Sequence, residues 1–258
     1  MDLHLSGRRV LITGATGGIG RAIAQGFAAE GCDLVLLGRT PQLLSELRAQ
    51  IAAAAPSASI DTRAIDLASP GAAEILAEEF TTVDILVNNA GAIRRGSLLD
   101  VDEKTWRAAW DLKVFGYINM TRAFMAPMLA RGRGVIINVI GIKGERVDDS
   151  YVAGSSANAS LIAFTRAVGS TSIDRGVRVV GVSPGWVETP KAILSLQQMA
   201  GAELGDPERW RELLKNQPRG KLISPEEIAN VTTFVASDKA SALSGHVITV
   251  DAGWAARA

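Results

Sequence analysis

Short apolar runs and longer amphipathic stretches alternate along the whole chain. Val10–Ile12, Leu34–Leu37, Ile85–Val87, Val135–Val139, Val177–Val182 and Val247–Val250 are apolar and rich in β-branched residues. Such runs read as strands covered on both faces. Between them, Ile19–Glu30, Gln42–Ala54, Ala72–Glu79, Glu103–Arg131, Ser155–Arg175 and Pro225–Ser237 carry helical patterns. Gly-rich breaks and starts such as Thr40-Pro41 and Ser69-Pro70 punctuate them. The alternation predicts an α/β fold, a doubly wound parallel sheet of about seven strands with helices on both faces and right-handed crossovers. No linker, low-complexity tract or short repeat interrupts it, so one domain is expected over 1–258. The exception is Thr189–Gly220, a polar-helical insertion before the last helix and a candidate substrate lid beside the ligand crevice.

Composition narrows the function. Lys+Arg and Asp+Glu both number 27, so the net charge is zero and no long-range basic field exists to gather nucleic acid or anionic membrane. The single cysteine, Cys32, excludes an internal disulfide framework and fits a reducing compartment. With only His4 and His246 beside it, no metal site is expected. The start, MDLHLSGRR, lacks the apolar core of a signal peptide, and no run of about eighteen apolar residues occurs. A cytoplasmic location is the expectation.

The first strand runs into Thr13-Gly14-Ala15-Thr16-Gly17-Gly18-Ile19-Gly20 and then directly into a helix. Glycines at 14, 18 and 20 permit a tight turn, close backbone approach to a pyrophosphate, and helix–strand contact, while the helix start offers free N–H groups. A glycine cluster alone is weak, but this one lies between the first strand and first helix, the context that gives it meaning.

TGATGGIG resembles the TGxxxGxG fingerprint of the short-chain dehydrogenase/reductase family, a Rossmann-type fold, and the resemblance covers nearly the whole chain. Asp66-Leu67 is similar to the family's acidic adenine contact, and Asn88-Asn89-Ala90-Gly91 to its NNAG turn after the fourth strand. Pro184-Gly185 with Thr189 resembles the PGxxxT stretch beside the nicotinamide, and Val250-Asp251-Ala252-Gly253 the C-terminal VDGG. The resemblance implies a cofactor site at Gly14, Thr16, Gly18, Ile19, Gly20, Arg39, Asp66, Leu67, Asn89, Ala90, Gly91, Asn158, Pro184, Gly185, Val187 and Thr189. Where NAD users of the family carry an Asp, this chain has Gly38, followed by Arg39, whose fork suits a 2′-phosphate. NADP(H) is therefore expected over NAD(H). Arg39 stacked on adenine is the alternative.

The family's proton chemistry uses a Tyr, a Lys four residues later, a Ser, and an Asn on the long helix. In register these positions hold Gly154, Asn158, Gly141 and Lys113. Two readings stand open. In one, the chain binds dinucleotide without hydride chemistry. In the other, Lys113 and Asn158 have exchanged places, Lys113 supplying the charge and Tyr151, three residues before Gly154, leaning into the site as donor. Tyr151 as an ordinary loop aromatic, and Lys113 as a structural residue, are the plain alternatives. The function expected is an atypical NAD(P)-dependent oxidoreductase acting on a carbonyl or alcohol of a small molecule. A non-catalytic dinucleotide-binding protein and an isomerase or dehydratase are the other classes. Family resemblance also implies a homotetramer or homodimer, with the Glu103–Arg131 and Ser155–Arg175 helices pairing with their copies through Leu161, Phe164 and Val168.

Overall fold

The computed structural model describes residues 1–257. Seven parallel strands form one sheet: β1 (Arg9–Ile12), β2 (Asp33–Gly38), β3 (Ile60–Ala64), β4 (Ile85–Asn88), β5 (Gly134–Val139), β6 (Val177–Pro184) and β7 (His246–Val250). Their order is β3-β2-β1-β4-β5-β6-β7, so the winding reverses between β1 and β4. Register runs Val10↔Leu34 on one side of β1 and Val10↔Ile85 on the other. In open α/β sheets the crevice beyond the strand ends at such a reversal is where ligands bind.

Side chains alternate between the two faces of each strand, and both faces are dry. Val10, Ile12, Leu34, Leu36, Val87 and Ile137 pack under α1 (Gly18–Ala29), α2 (Pro41–Ala54) and α8 (Pro225–Ala236). Leu11, Val35, Leu37, Leu86 and Ile136 face the other way, against α3 (Ala72–Glu79) and α5 (Gly116–Arg131). On that same side α6 (Val152–Ser172) buries Leu161 and Ile162 with Tyr117 and Val247. Leu161 therefore faces inward and offers nothing to a second copy, while Phe164 and Val168 are half-buried against the same core.

Two local departures from the periodicity matter. β3 is an edge strand whose Asp61 and Arg63 are exposed, so its polar composition hides it from hydropathy. The long helical stretch from Glu103 is not continuous: α4 (Glu103–Trp110) passes into a π-helical turn, Asp111–Phe115, before α5 begins. A π-turn inserts extra chain and re-aims side chains, here that of Lys113. The segment after β6 holds α7 (Pro190–Leu204) and a 3-10 stretch, Pro207–Asn216. Leu196, Ala200, Trp210 and Leu222 give it a small core of its own. Among the described residues no helix is long and apolar enough to cross a membrane, and no cluster of His, Cys, Asp and Glu has metal-ligand geometry.

Arg178 on β6 fixes the end of α8. Its guanidinium donates to the carbonyls of Val235 (2.8 Å), Ala236 (3.2 Å), Ser237 (2.9 Å) and Leu243 (3.3 Å). The Val235 and Ala236 carbonyls, in the last turn of α8, have no helical partner of their own. Arg178→Met is expected to lower unfolding free energy by about 3 kcal/mol, since buried carbonyls lose charged donors. Urea unfolding at an unchanged denaturant slope measures it, and a loss below about 1 kcal/mol would mean that water replaces the guanidinium.

Candidate active site

A crevice of about 590 Å³ opens beyond the ends of β1 and β4. The β1–α1 turn lines it with Gly14, Thr16, Gly18, Ile19 and Gly20, and the end of β2 adds Gly38 and Arg39. Leu67, then Asn89, Ala90 and Gly91, then Pro184, Gly185 and Thr189 complete the wall. The sequence assignment is thus brought together at thirteen of its sixteen cofactor positions. The three others stand apart. Asp66 is exposed and accepts from the Ala68 N–H at 3.1 Å, making a turn. Val187 is buried in an isolated bridge with Ile223. Asn158 is buried beneath Gly141 and its Oδ1 finds no partner among the described residues.

The turn conformation explains its glycines. Gly14 has φ +62°, and a Cβ there would stand 2.9 Å from the Ala90 Cα. The turn is tied down by Thr13 and Asn89. The Thr13 hydroxyl accepts from the Asn89 N–H (2.8 Å) and the Ala90 N–H (3.0 Å). The Asn89 amide donates back to the carbonyls of Thr13 and Gly14, both at 3.1 Å. Gly17 starts α1 without a side-chain cap, and the first N–H to return to it is that of Arg21. The N–H groups of Gly18, Ile19 and Gly20 are therefore left for an anion at the positive end of the helix.

Charge agrees with that geometry. Arg39, Lys113 and Lys191 line the crevice, and among the described residues lining it there is no carboxylate. The residues present fit an anionic dinucleotide. Lys191 escaped the sequence reading, although one signal was there: it occupies the first turn of α7, where the helix dipole disfavours a cation.

Lys113 projects from the π-turn across Gly91, where an added Cβ would meet its Cδ at 3.1 Å. Its Nζ donates to the Ile140 carbonyl at 2.7 Å. Burial, helped by the charge of Lys191, lowers its pKa to about 7. Gly141 beside it has φ +132°, a conformation that a serine rarely adopts.

Tyr151 precedes α6 and does not line the crevice itself. Its ring lies against Gly154 so closely that a Cβ on Gly154 would overlap the ring carbons. It packs with Ile93, Val114 and Ala157 in a separate apolar cluster. Burial raises its phenol pKa, and Arg95 opposes the rise.

The fold and the crevice together define a Rossmann-type dinucleotide-binding oxidoreductase. A family model described as Enoyl-(Acyl carrier protein) reductase matches residues 14–255. A curated 2-keto-3-deoxy-L-fuconate dehydrogenase of Xanthomonas campestris is 33% identical over 255 residues, covering 98% of this chain and 82% of that one. A galactitol 2-dehydrogenase (L-tagatose-forming) of Cereibacter sphaeroides is 34% identical, covering 97% and 96%. The solved L-sorbose reductase of Gluconobacter frateurii, complexed with NADPH and L-sorbose, superposes with a TM-score of 0.92 at 29% identity over 100% of both chains. The chain belongs to the short-chain dehydrogenase/reductase family.

The state of Lys113 has a measurable consequence without cofactor. Its pKa is about 7 when folded against 10.5 ordinarily, so between those values the unfolded chain binds more protons. Stability therefore rises as pH climbs through that window, and the burial cost is fully present below it. Lys113→Met is expected to raise the melting temperature of the cofactor-free protein below neutrality, with the gain shrinking toward the upper end of the window. Thermal unfolding across the pH range checks this; a lower melting temperature in acid would show that the Ile140 contact outweighs desolvation.

Proposed function

We propose that this protein is an NADP(H)-dependent oxidoreductase that interconverts a carbonyl and an alcohol on a small sugar-like substrate, with Lys113 and Tyr151 in place of the family's usual residues. The observation that carries the reading is the pair of transposed side chains. The Tyr151 ring fills the space beside Gly154, and the Lys113 ammonium reaches the Ile140 carbonyl at the crevice. The relatives' names, with fuconate, galactitol and L-sorbose among them, support the substrate class.

When bound, the cofactor supplies or accepts hydride at the carbonyl carbon. Arg39 would hold the 2′-phosphate, with no carboxylate at Gly38 to repel it. The free N–H groups of α1 would take the pyrophosphate, Asn89 through Gly91 shape the floor, and Thr189 closes it from above. Lys113 holds positive charge beside the reacting oxygen, and Tyr151 gives its phenolic proton to the developing alkoxide, or takes it back in oxidation. The unpartnered Oδ1 of Asn158 is the hydrogen-bonding residue left beneath Gly141. In this reading 189–220 is the lid of a single domain. Thr189 supports it, lying over the turn so that a Cβ on Gly18 would be 2.6 Å from its Cγ2. The assembly is a cytoplasmic homotetramer, for which light scattering is the direct test.

Tyr151→Phe is expected to lower turnover about 10²-fold or more while leaving NADPH affinity unchanged, because it removes positioned acid catalysis only. A carbonyl and alcohol screen that follows nicotinamide absorbance, with fluorescence titration of NADPH alongside, reads both. Product formed with no change in nicotinamide absorbance would select isomerisation or dehydration instead, and saturable binding without any product a non-catalytic role.

Gly38→Asp tests cofactor choice. A Cβ there meets Leu44 and Thr16 at 3.4 Å, so the side chain fits with small shifts. The carboxylate beside the 2′-phosphate should move preference toward NAD by about tenfold, some 1.4 kcal/mol. Titration calorimetry with both cofactors decides; a wild type that already binds NAD tenfold more tightly would overturn the NADP assignment.

A further inference from the structure

A phenol that surrenders a proton needs positive charge beside it. Four residues beyond Tyr151 stands Ser155, whose Oγ accepts from the Asp148 N–H at 3.1 Å. The Lys113 Nζ lies on the Ile140 carbonyl and 5.7 Å from the centre of the Tyr117 ring, so it is not the cation over the Tyr151 ring. The cation on Tyr151 comes from the loop after β4. The Arg95 guanidinium carbon lies 5.5 Å from the centre of the Tyr151 ring and 6.0 Å from that of Trp186. A guanidinium over a ring is attracted by the negative π-face, more strongly when desolvated.

Arg95 is held in place. Its Nη2 donates to Asp148 Oδ2 at 3.1 Å and to the Ser150 hydroxyl. Lys143 Nζ reaches the same Asp148 oxygen at 2.8 Å. Two cations thus share one carboxylate, which keeps Asp148 ionised and leaves the cluster positive. The backbone sets the register. The Gly96 N–H donates to the Ser150 carbonyl at 2.8 Å, and Gly96 pairs with Tyr151 as a parallel bridge. Arg95 and Tyr151 are locked as neighbours from both ends.

We propose that Arg95 is the positioning residue of Tyr151: it holds the ring beside Gly154 and supplies the charge that stabilises the phenolate left by proton transfer. This rests on the reading of Tyr151 as donor. In reduction the phenolic O–H bond breaks and its proton goes to the substrate oxygen, which holds the electron pair displaced when hydride reaches carbon. The phenolate then regains a proton from water.

Charged groups on the elements around the ring are Arg94 and Arg95, Asp111 and Lys113, Lys143, Asp148 and Asp149, and Glu188 and Lys191. Among the described residues, Arg95 is the one whose charge acts on the phenol, lowering its pKa against burial.

The test needs no substrate. The chain has 2 tyrosines, and Tyr117 is fully buried with its hydroxyl donating to the Val139 carbonyl and its pKa pushed far up. Phenolate absorbance of the folded protein therefore reports Tyr151, and Tyr151→Phe supplies the blank. Arg95→Met, which keeps an apolar stem between the rings, is expected to move the titration upward by about one unit, a tenfold change. Arg95→Lys should recover at least half of it, and Arg95→Gln, with donors but no charge, serves if methionine does not fold. The rising limb of alcohol oxidation against pH should move with the titration, at unchanged NADPH affinity. A folded, uncharged variant with an unmoved Tyr151 titration overturns the Arg95 assignment, whatever Tyr151→Phe does to turnover. Full turnover in Tyr151→Phe overturns the donor reading, whatever the titration does.

Discussion

The Thr13 hydroxyl is the point on which the functional end of the molecule depends. It sits where β1 and β4 part, at the reversal of the sheet's winding, fully buried. The Asn89 and Ala90 N–H groups, half-buried in the turn after β4, would otherwise lose their acceptor in the protein, at a cost of about 1 kcal/mol each. By accepting from Asn89 and Ala90 while Asn89 donates to the opposite turn, Thr13 joins the glycine turn and the NNAG turn into one rigid floor. Deeper in, Asn88 donates to Asn138 at 3.0 Å, and Asn138 to Thr165 at 2.9 Å, carrying the same tie through β5 to α6. The crevice is thus anchored to the helix that presents Gly154 and Asn158.

Above that floor Tyr151 fills the space beside Gly154, and Lys113 the space beside Gly91. Tyr151 occupies the space that a side chain on Gly154 would need, so a tyrosine restored at 154 has nowhere to go. Gly141 adopts a φ of +132° that a restored serine would not tolerate easily. Lys113 reaches in from the π-turn because that turn rotates it off the regular helical face. The tight contacts at Gly154 and the positive φ of Gly141 both require a residue without a side chain.

Electrostatics divides the site into two halves. The crevice holds Arg39, Lys113 and Lys191 with no acid among its described lining residues, an arrangement that waits for phosphate. Burial, with the Lys191 charge added to it, disfavours the charged form of Lys113 there. The other half, around Tyr151, is held together by Arg95 and Lys143 sharing Asp148, with one positive charge left over.

Local rules in the chain determined the sheet, its helices and the phosphate turn. Apolar runs buried on both faces, a strand leading straight into glycines, and a helix start such as Thr40-Pro41 leave little freedom of interpretation. Those rules act over a few residues, so they are visible in one dimension. Tertiary structure alone decided the rest. The polar strand Ile60–Ala64 becomes a strand by pairing with β2, and Leu161 turns inward because Tyr117 and Val247 meet it. Asn158 ends buried below Gly141 because the backbone there takes a conformation no motif announces. The partnership of Arg95 with Tyr151 joins positions 95 and 151, on loops after different strands, through one backbone bridge and one carboxylate. Contacts between residues far apart in the chain leave no periodicity in the sequence, and only the folded packing of those loops brings the cation to the ring.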